Sequence, residues 1–108
     1  MTKKTTVRRG TGNVFVDLAL PDAEAYMAKS ELAARIYKVV KKRKLTQGAT
    51  GKLLGITQPN VSALLNGNLD GFSTDRLLRF LNALGCDVRI SVSPPHPRSR
   101  GRVQVMAG

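Results

Sequence analysis

The stretch Thr46-Gln47-Gly48-Ala49-Thr50-Gly51-Lys52-Leu53-Leu54-Gly55-Ile56-Thr57-Gln58-Pro59-Asn60-Val61-Ser62-Ala63-Leu64-Leu65-Asn66-Gly67 reads as a helix, a short turn and a second helix. Thr46 supplies an N-cap for a helix over Gln47–Leu54, and Gly55 supplies the left-handed position that ends it. Thr57 is placed to cap the next helix, Gln58–Leu65. Pro59 is tolerated there because first-turn N–H groups have no intrahelical partner. Gly51, midway along the first helix, allows the second to approach closely. Leu54, Ile56, Val61 and Leu64 fall where the pair must bury a shared face.

Outward from this pair, the periodicity predicts two more helices. Asp22 opens one over Ala23–Ala28, with Ser30 either capping afresh or lying within a helix that continues to Lys44. Leu32, Ile36, Val39 and Val40 follow the i, i+4, i+7, i+8 spacing of a buried stripe. Lys41-Lys42-Arg43-Lys44 close its last turn, where cations suit the negative end of the helix dipole. After a loop over Asn66–Gly71, Ser73 caps a helix through Leu84, with Phe72 and Leu77 as a hydrophobic staple. Leu77, Leu78, Phe80, Leu81 and Leu84 form its apolar side, and Gly85 ends it. Asp87–Val92 alternates polar and apolar residues, predicting a strand with Val88, Ile90 and Val92 on one face. Such an apolar-faced edge calls for a pairing partner, either the same strand of a second copy or Val14–Leu18.

The 108 residues suffice for one domain and not two. Residues 1–12 read as a flexible basic arm, 13–92 as the folded domain, and 93–108 as a flexible tail containing Pro and Arg. Asn13–Leu20 is apolar and partly β-branched, so it is a short strand or an extended docking segment. No apolar run approaches the ~18 residues of a membrane span, and no signal peptide is apparent. No membrane association is expected, and a cytoplasmic location is the default. Cys86 is the single cysteine, which rules out an internal disulfide and a cysteine-cluster zinc site.

The net charge of +11 and pI near 10.7 point toward a polyanion. Lys3, Lys4, Arg8 and Arg9 at one end and Arg98, Arg100 and Arg102 at the other account for most of it. A moderately basic body with basic ends suits a sequence-reading domain with auxiliary phosphate contacts better than a nonspecific packer. RNA or ribosome binding through these ends is a competing reading, and predicts strong salt dependence with little sequence preference.

The leading turn of the second helix of such a pair enters the major groove of duplex DNA, and so must be polar. Thr57, Gln58, Pro59, Asn60, Ser62, Ala63 and Asn66 are the candidate contacts on that helix. Gln58 and Asn60 carry amides suited to adenine edges. Gln47 is placed for a phosphate, as are Lys41 and Lys44. Merely capping and solvating the helix start is the competing role for Gln58 and Asn60, and a solvated, dipole-compensating helix end is that for Lys41 and Lys44.

No enzyme is expected, because the chemistry for one is lacking. Gly48-Ala49-Thr50-Gly51-Lys52 faintly resembles a phosphate-binding loop, but its spacing is wrong and Leu53 stands where a magnesium-binding hydroxyl is needed. His96, in Pro-Pro-His-Pro, has no second ligand or nucleophile nearby. No catalytic set, metal site or cofactor is expected.

Leu45-Thr46-Gln47, Leu54-Gly55-Ile56 and Thr57-Gln58-Pro59-Asn60-Val61-Ser62-Ala63-Leu64 together resemble the signature of the Xre family of phage-repressor-like regulators. The resemblance implies an all-α, four- to five-helix domain with a short C-terminal β-strand. It also implies a homodimer on a palindromic double-stranded DNA operator, with half-sites about one helical turn apart. Val88, Ile90 and Val92 are the candidate dimer contacts. Asn13–Leu18 with Gly71–Arg79 is more closely similar to short Xre proteins, many of them antitoxins of the HigA type. That similarity implies an autorepressing antitoxin paired with a small RelE/HigB-like ribonuclease toxin, with Val14–Leu20, Asp17, Asp22 and Glu24 as toxin contacts. A stand-alone repressor without a toxin is the alternative. The chain departs from the pattern at Gly48 and Thr50, which replace helix formers and, with Gly51, weaken helix 47–54 by about 1 kcal/mol per glycine. Asn60, Asn66 and Asn68 also stand where relatives often carry Lys or Arg.

Overall fold

The computed structural model describes residues 22–97 and 100–106. The expected N-terminal arm, the segment Asn13–Leu20 and Arg98 lie outside the described residues. Among the described residues four helices are formed: α1 (Asp22–Lys42), α2 (Gln47–Leu54), α3 (Gln58–Leu65) and α4 (Thr74–Ala83). The long α1 packs mainly on α4 and α2 packs on α3; contacts of α1 with α3 and of α2 with α4 join the two pairs.

The stripe on α1 is buried as its periodicity requires. Leu32, Ile36 and Val40 are inside, and Val39 packs half-buried against the same cluster. Leu77, Leu78, Phe80, Leu81 and Leu84 bury the facing side of α4. Phe72, also buried, meets Phe80 edge-on with ring centroids 5.9 Å apart. Fully burying a side chain such as Ile36 or Leu77 contributes about 1.5–3 kcal/mol. Ser73 caps α4 as expected, its hydroxyl accepting the Arg76 N–H at 3.1 Å. Gly85 takes φ 92°, and the Cys86 N–H turns back to the Leu81 carbonyl at 2.9 Å to close the helix.

Of the two readings of α1 the continuous one holds, with Ser30 inside a helix that begins at Asp22. It stops at Lys42 rather than Lys44, because Lys44 adopts φ 55°, and the Leu45 N–H returns to the Val40 carbonyl at 3.0 Å. That left-handed residue turns the chain sharply into α2. Arg43 leaves the cationic run altogether. Its Nη1 donates to the Leu84 carbonyl at 3.1 Å, placing a cation on the negative end of α4.

The expected strand over Asp87–Val92 is not formed among the described residues. Its alternation survives in burial: Val88 and Ile90 are half-buried while Asp87, Arg89 and Ser91 are exposed, and Val92 stands 76% exposed. An extended segment becomes a strand only by pairing, and no ladder partner lies alongside it in the described chain. The segment beyond, expected as a free tail, folds back on α1. Arg100 Nη2 meets Glu24 Oε1 at 2.7 Å, the Val103 N–H donates to Glu24 Oε2, and Val105 packs on the core. Glu24 attracts the tail because an arginine and an unpaired backbone N–H both seek an acceptor.

Candidate nucleic-acid interface

The α2–α3 pair is set by local chemistry at four positions. Thr46 caps α2, its Oγ1 accepting the Ala49 N–H at 3.0 Å. Gly55 ends α2 at φ 72° and ψ 33°, with its N–H on the Gly51 carbonyl at 2.8 Å. A Cβ on Gly51 would lie 2.8 Å from the Ile56 carbonyl oxygen and 3.4 Å from Val61 Cγ2. Only a residue without a side chain lets the turn lie so close to α2. Thr50, which looks unhelpful in a helix, is fully buried, and its hydroxyl donates to the Thr46 carbonyl at 2.8 Å. Thr50 thus fills space beneath the cap with its one polar group satisfied.

Val61 and Leu64 point α3 into the core, which turns its other side outward. Thr57, Gln58, Pro59, Asn60 and Asn66 are exposed, while Ser62 and Ala63 are half-buried. Thr57 occupies the N-cap with extended backbone angles but makes no side-chain cap hydrogen bond, contrary to the expectation. Pro59 explains part of this, because it removes one of the two N–H groups that an N-cap hydroxyl reaches. The Asn66 amide, one turn past Ser62, donates to the Ser62 hydroxyl at 3.4 Å.

Gln47, at the first residue of α2, is exposed and shares a shallow groove with Gln58 at the start of α3. Gly48, Gly51, Gly55 and Ile56 line the same groove. The structure therefore brings together the starts of the two helices. Lys52, an exposed wall of this groove, escapes that reading. Its signal is the spacing Gln47, Gly48, Gly51, Lys52, which puts all four on one face of α2.

The electrostatics favour an anion along this surface. From Leu32 to Leu69 the chain contains no Asp or Glu, while Arg35, Lys38, Lys41, Lys42, Arg43, Lys44 and Lys52 all fall there. Lys41 and Lys44 are exposed, at the end of α1 that leads straight into Thr46 and Gln47. Lys41 also rests over the Tyr37 ring at 5.7 Å, which holds its stem without neutralising its charge. Among the described residues no group of His, Cys, Asp and Glu side chains could hold a metal ion.

A family model described as a helix-turn-helix domain matches residues 14–93. A solved structure named as an XRE family transcriptional regulator is 44% identical, with a TM-score of 0.75 over 82% of this chain and 100% of that one. The chain belongs to the Xre family. It is a DNA-binding transcriptional regulator with the family's helix-turn-helix fold. No curated protein matches it. Within the Xre fold, α2 and α3 are the helix-turn-helix and α1 and α4 are its support. No described helix is long and apolar enough to cross a membrane.

Proposed function

We propose that the protein is a sequence-specific repressor that binds a palindromic operator as a homodimer. Each subunit lays Gln58–Asn66 into one major groove. The supporting observation is the outward display of Gln58 and Asn60 at the head of a helix whose opposite side is anchored by Val61 and Leu64. Gln58 and Asn60 read base edges, while Thr57, Pro59, Ser62, Ala63 and Asn66 line the contact surface. Gln47, Lys41, Lys44 and Lys52 hold phosphates. Exposed cations flanking a neutral reading helix suit this division, since phosphates supply affinity and base edges supply selectivity.

The homodimer is supported by Val88, Ile90 and Val92, an alternating apolar edge with no ladder partner among the described residues and with an exposed valine. Pairing the same segment of two copies would cover that edge and space two α3 helices for successive grooves.

The likeness to HigA-type proteins supports a finer reading: an antitoxin that sequesters a RelE/HigB-like ribonuclease and represses its own operon. One observation favours the stand-alone repressor instead. Glu24, an acidic candidate for toxin contact, is already engaged by Arg100 and Val103. Co-expression with the product of the adjacent reading frame separates the two. Rescue of growth supports the antitoxin, and no rescue supports the stand-alone repressor.

Operator selection from random duplexes at two salt concentrations tests the main reading. A defined palindrome is expected, with Gln58→Ala relaxing preference at one base position by about 1–3 kcal/mol and leaving the fold intact. Binding without base preference, or unchanged selectivity in Gln58→Ala, would remove Gln58 from the reading role.

A further inference from the structure

A second groove runs from the helix-turn-helix turn in the other direction, toward α4. Leu54, Ile56, Phe80 and Ala83 form its apolar floor, and Arg76 and Arg79 its rim. Arg76 is held in place rather than left to wave. Its guanidinium lies 5.1 Å from the Phe72 ring centroid and 5.4 Å from that of Phe80, and Nη1 donates to the Gly71 carbonyl at 3.2 Å. Resting against both rings and tied to that carbonyl, its planar fork has already lost much of the rotamer freedom that binding would otherwise remove. Arg79 contributes a second guanidinium three residues along the same face. Its side chain is 73% exposed, with Nη2 on Asp75 Oδ2 at 3.1 Å.

We propose that this groove docks an acidic segment of a partner protein, its carboxylates on Arg76 and Arg79 and an aliphatic side chain on the floor. Charge and shape together choose this occupant. The held guanidinium of Arg76 fits a carboxylate, and Arg79 adds a second cation once it exchanges Asp75 for the incoming acid. The apolar floor gives an aliphatic side chain a place that a sugar–phosphate backbone does not use. A second copy of this chain is a poor fit, because its described acids are few and several are engaged: Glu24 with Arg100, Glu31 with Arg35 and Asp75 with Arg79. The two grooves adjoin at Gly55 and Ile56, but Gln47, Lys52 and Gln58 line only the other one. A partner seated on Arg76 and Arg79 therefore leaves the Gln58 side to DNA. That last point rests on the DNA-reading assignment above; the docking itself does not.

The test uses the full chain and a short synthetic peptide of alternating Glu and Leu, followed by NMR at the Arg76 and Arg79 side-chain N–H groups and the Ile56 and Ala83 amides. Shifts confined to these groups are expected, with affinity falling about tenfold in Arg79→Glu and equally for a peptide carrying Gln in place of Glu. Arg79→Gln, which avoids placing two carboxylates one turn apart, serves as the milder variant. The Gln58→Ala protein should bind the peptide unchanged. If Arg79→Glu and Arg79→Gln bind as the parent does, or the Gln peptide binds equally, the proposal is overturned. Displacement of the peptide by a duplex that the chain has selected would assign the groove to phosphate and overturn it as well. Should no duplex be selected at all, the DNA reading fails while the peptide measurement still decides the groove.

Discussion

The two helix pairs are held by different means. The α1–α4 pair is joined by a broad apolar contact in which Leu32, Ile36, Val40, Leu77, Leu78 and Leu81 are all buried. The α2–α3 pair buries little: Thr50, Gly51 and Leu54 from one helix, Val61 and Leu64 from the other. What it lacks in area it replaces with fit, through a glycine that no side chain can substitute, a capping threonine and a left-handed glycine. A helix of eight residues is too short to persist alone in water. The reading pair is therefore a shaped attachment to a conventional core, with most of its surface left for something else.

Substitutions in each half should expose this difference. Ile36→Ala, in the supporting pair, is expected to cost about 2–5 kcal/mol and to lower the urea midpoint of the whole domain in one transition. A separate, earlier loss of α2–α3 would mean that the halves are not coupled. Gly51→Ala should follow, at about 1–3 kcal/mol, although alanine is the better helix former, because its Cβ meets the Ile56 carbonyl. Unchanged stability there would show that fit does not hold the pair. Thr46→Ala removes the α2 cap and should cost about 1 kcal/mol, read as faster amide exchange at Ala49 than at Arg76. The smallest effect has the opposite sign. Gly48→Ala meets only Thr46 Oγ1, at 3.9 Å, and should stabilise by about 0.5–1 kcal/mol. The contrast between Gly48 and Gly51, three residues apart on one helix, is the sharpest check of the comparison.

The same contrast explains what could be read in the sequence. The stripes of α1 and α4 follow from periodicity alone, and Thr46, Ser73, Gly55 and Gly85 mark helix ends by local rules. Gly51 is legible because close approach has no other solution. What escaped depends on neighbours distant in the chain. Arg43 looks like one more cation in a run until Leu84, brought near by folding, offers a carbonyl. Thr50 looks like a weak helix former until its burial beneath Thr46 is seen. The fold-back of Arg100 onto Glu24 has no local signal at all. Lys44 ends a cationic run that suits a helix, yet it carries the left-handed bend that leads into α2. On the interface, the amides of α3 were legible because the buried side of a short helix dictates the exposed one. Lys52 was not, since the groove it shares with Gln58 forms only across the turn.

The clasp of Glu24 on Arg100 and Val103 has a practical consequence. At about 1.5 Å per residue, Glu24 stands roughly 30 Å along α1 from the bend at Lys44. Met106, exposed just beyond the clasp, is thus carried to the end of the molecule remote from Gln47. A fluorophore attached there would report tumbling as the chain joins a duplex without standing between them.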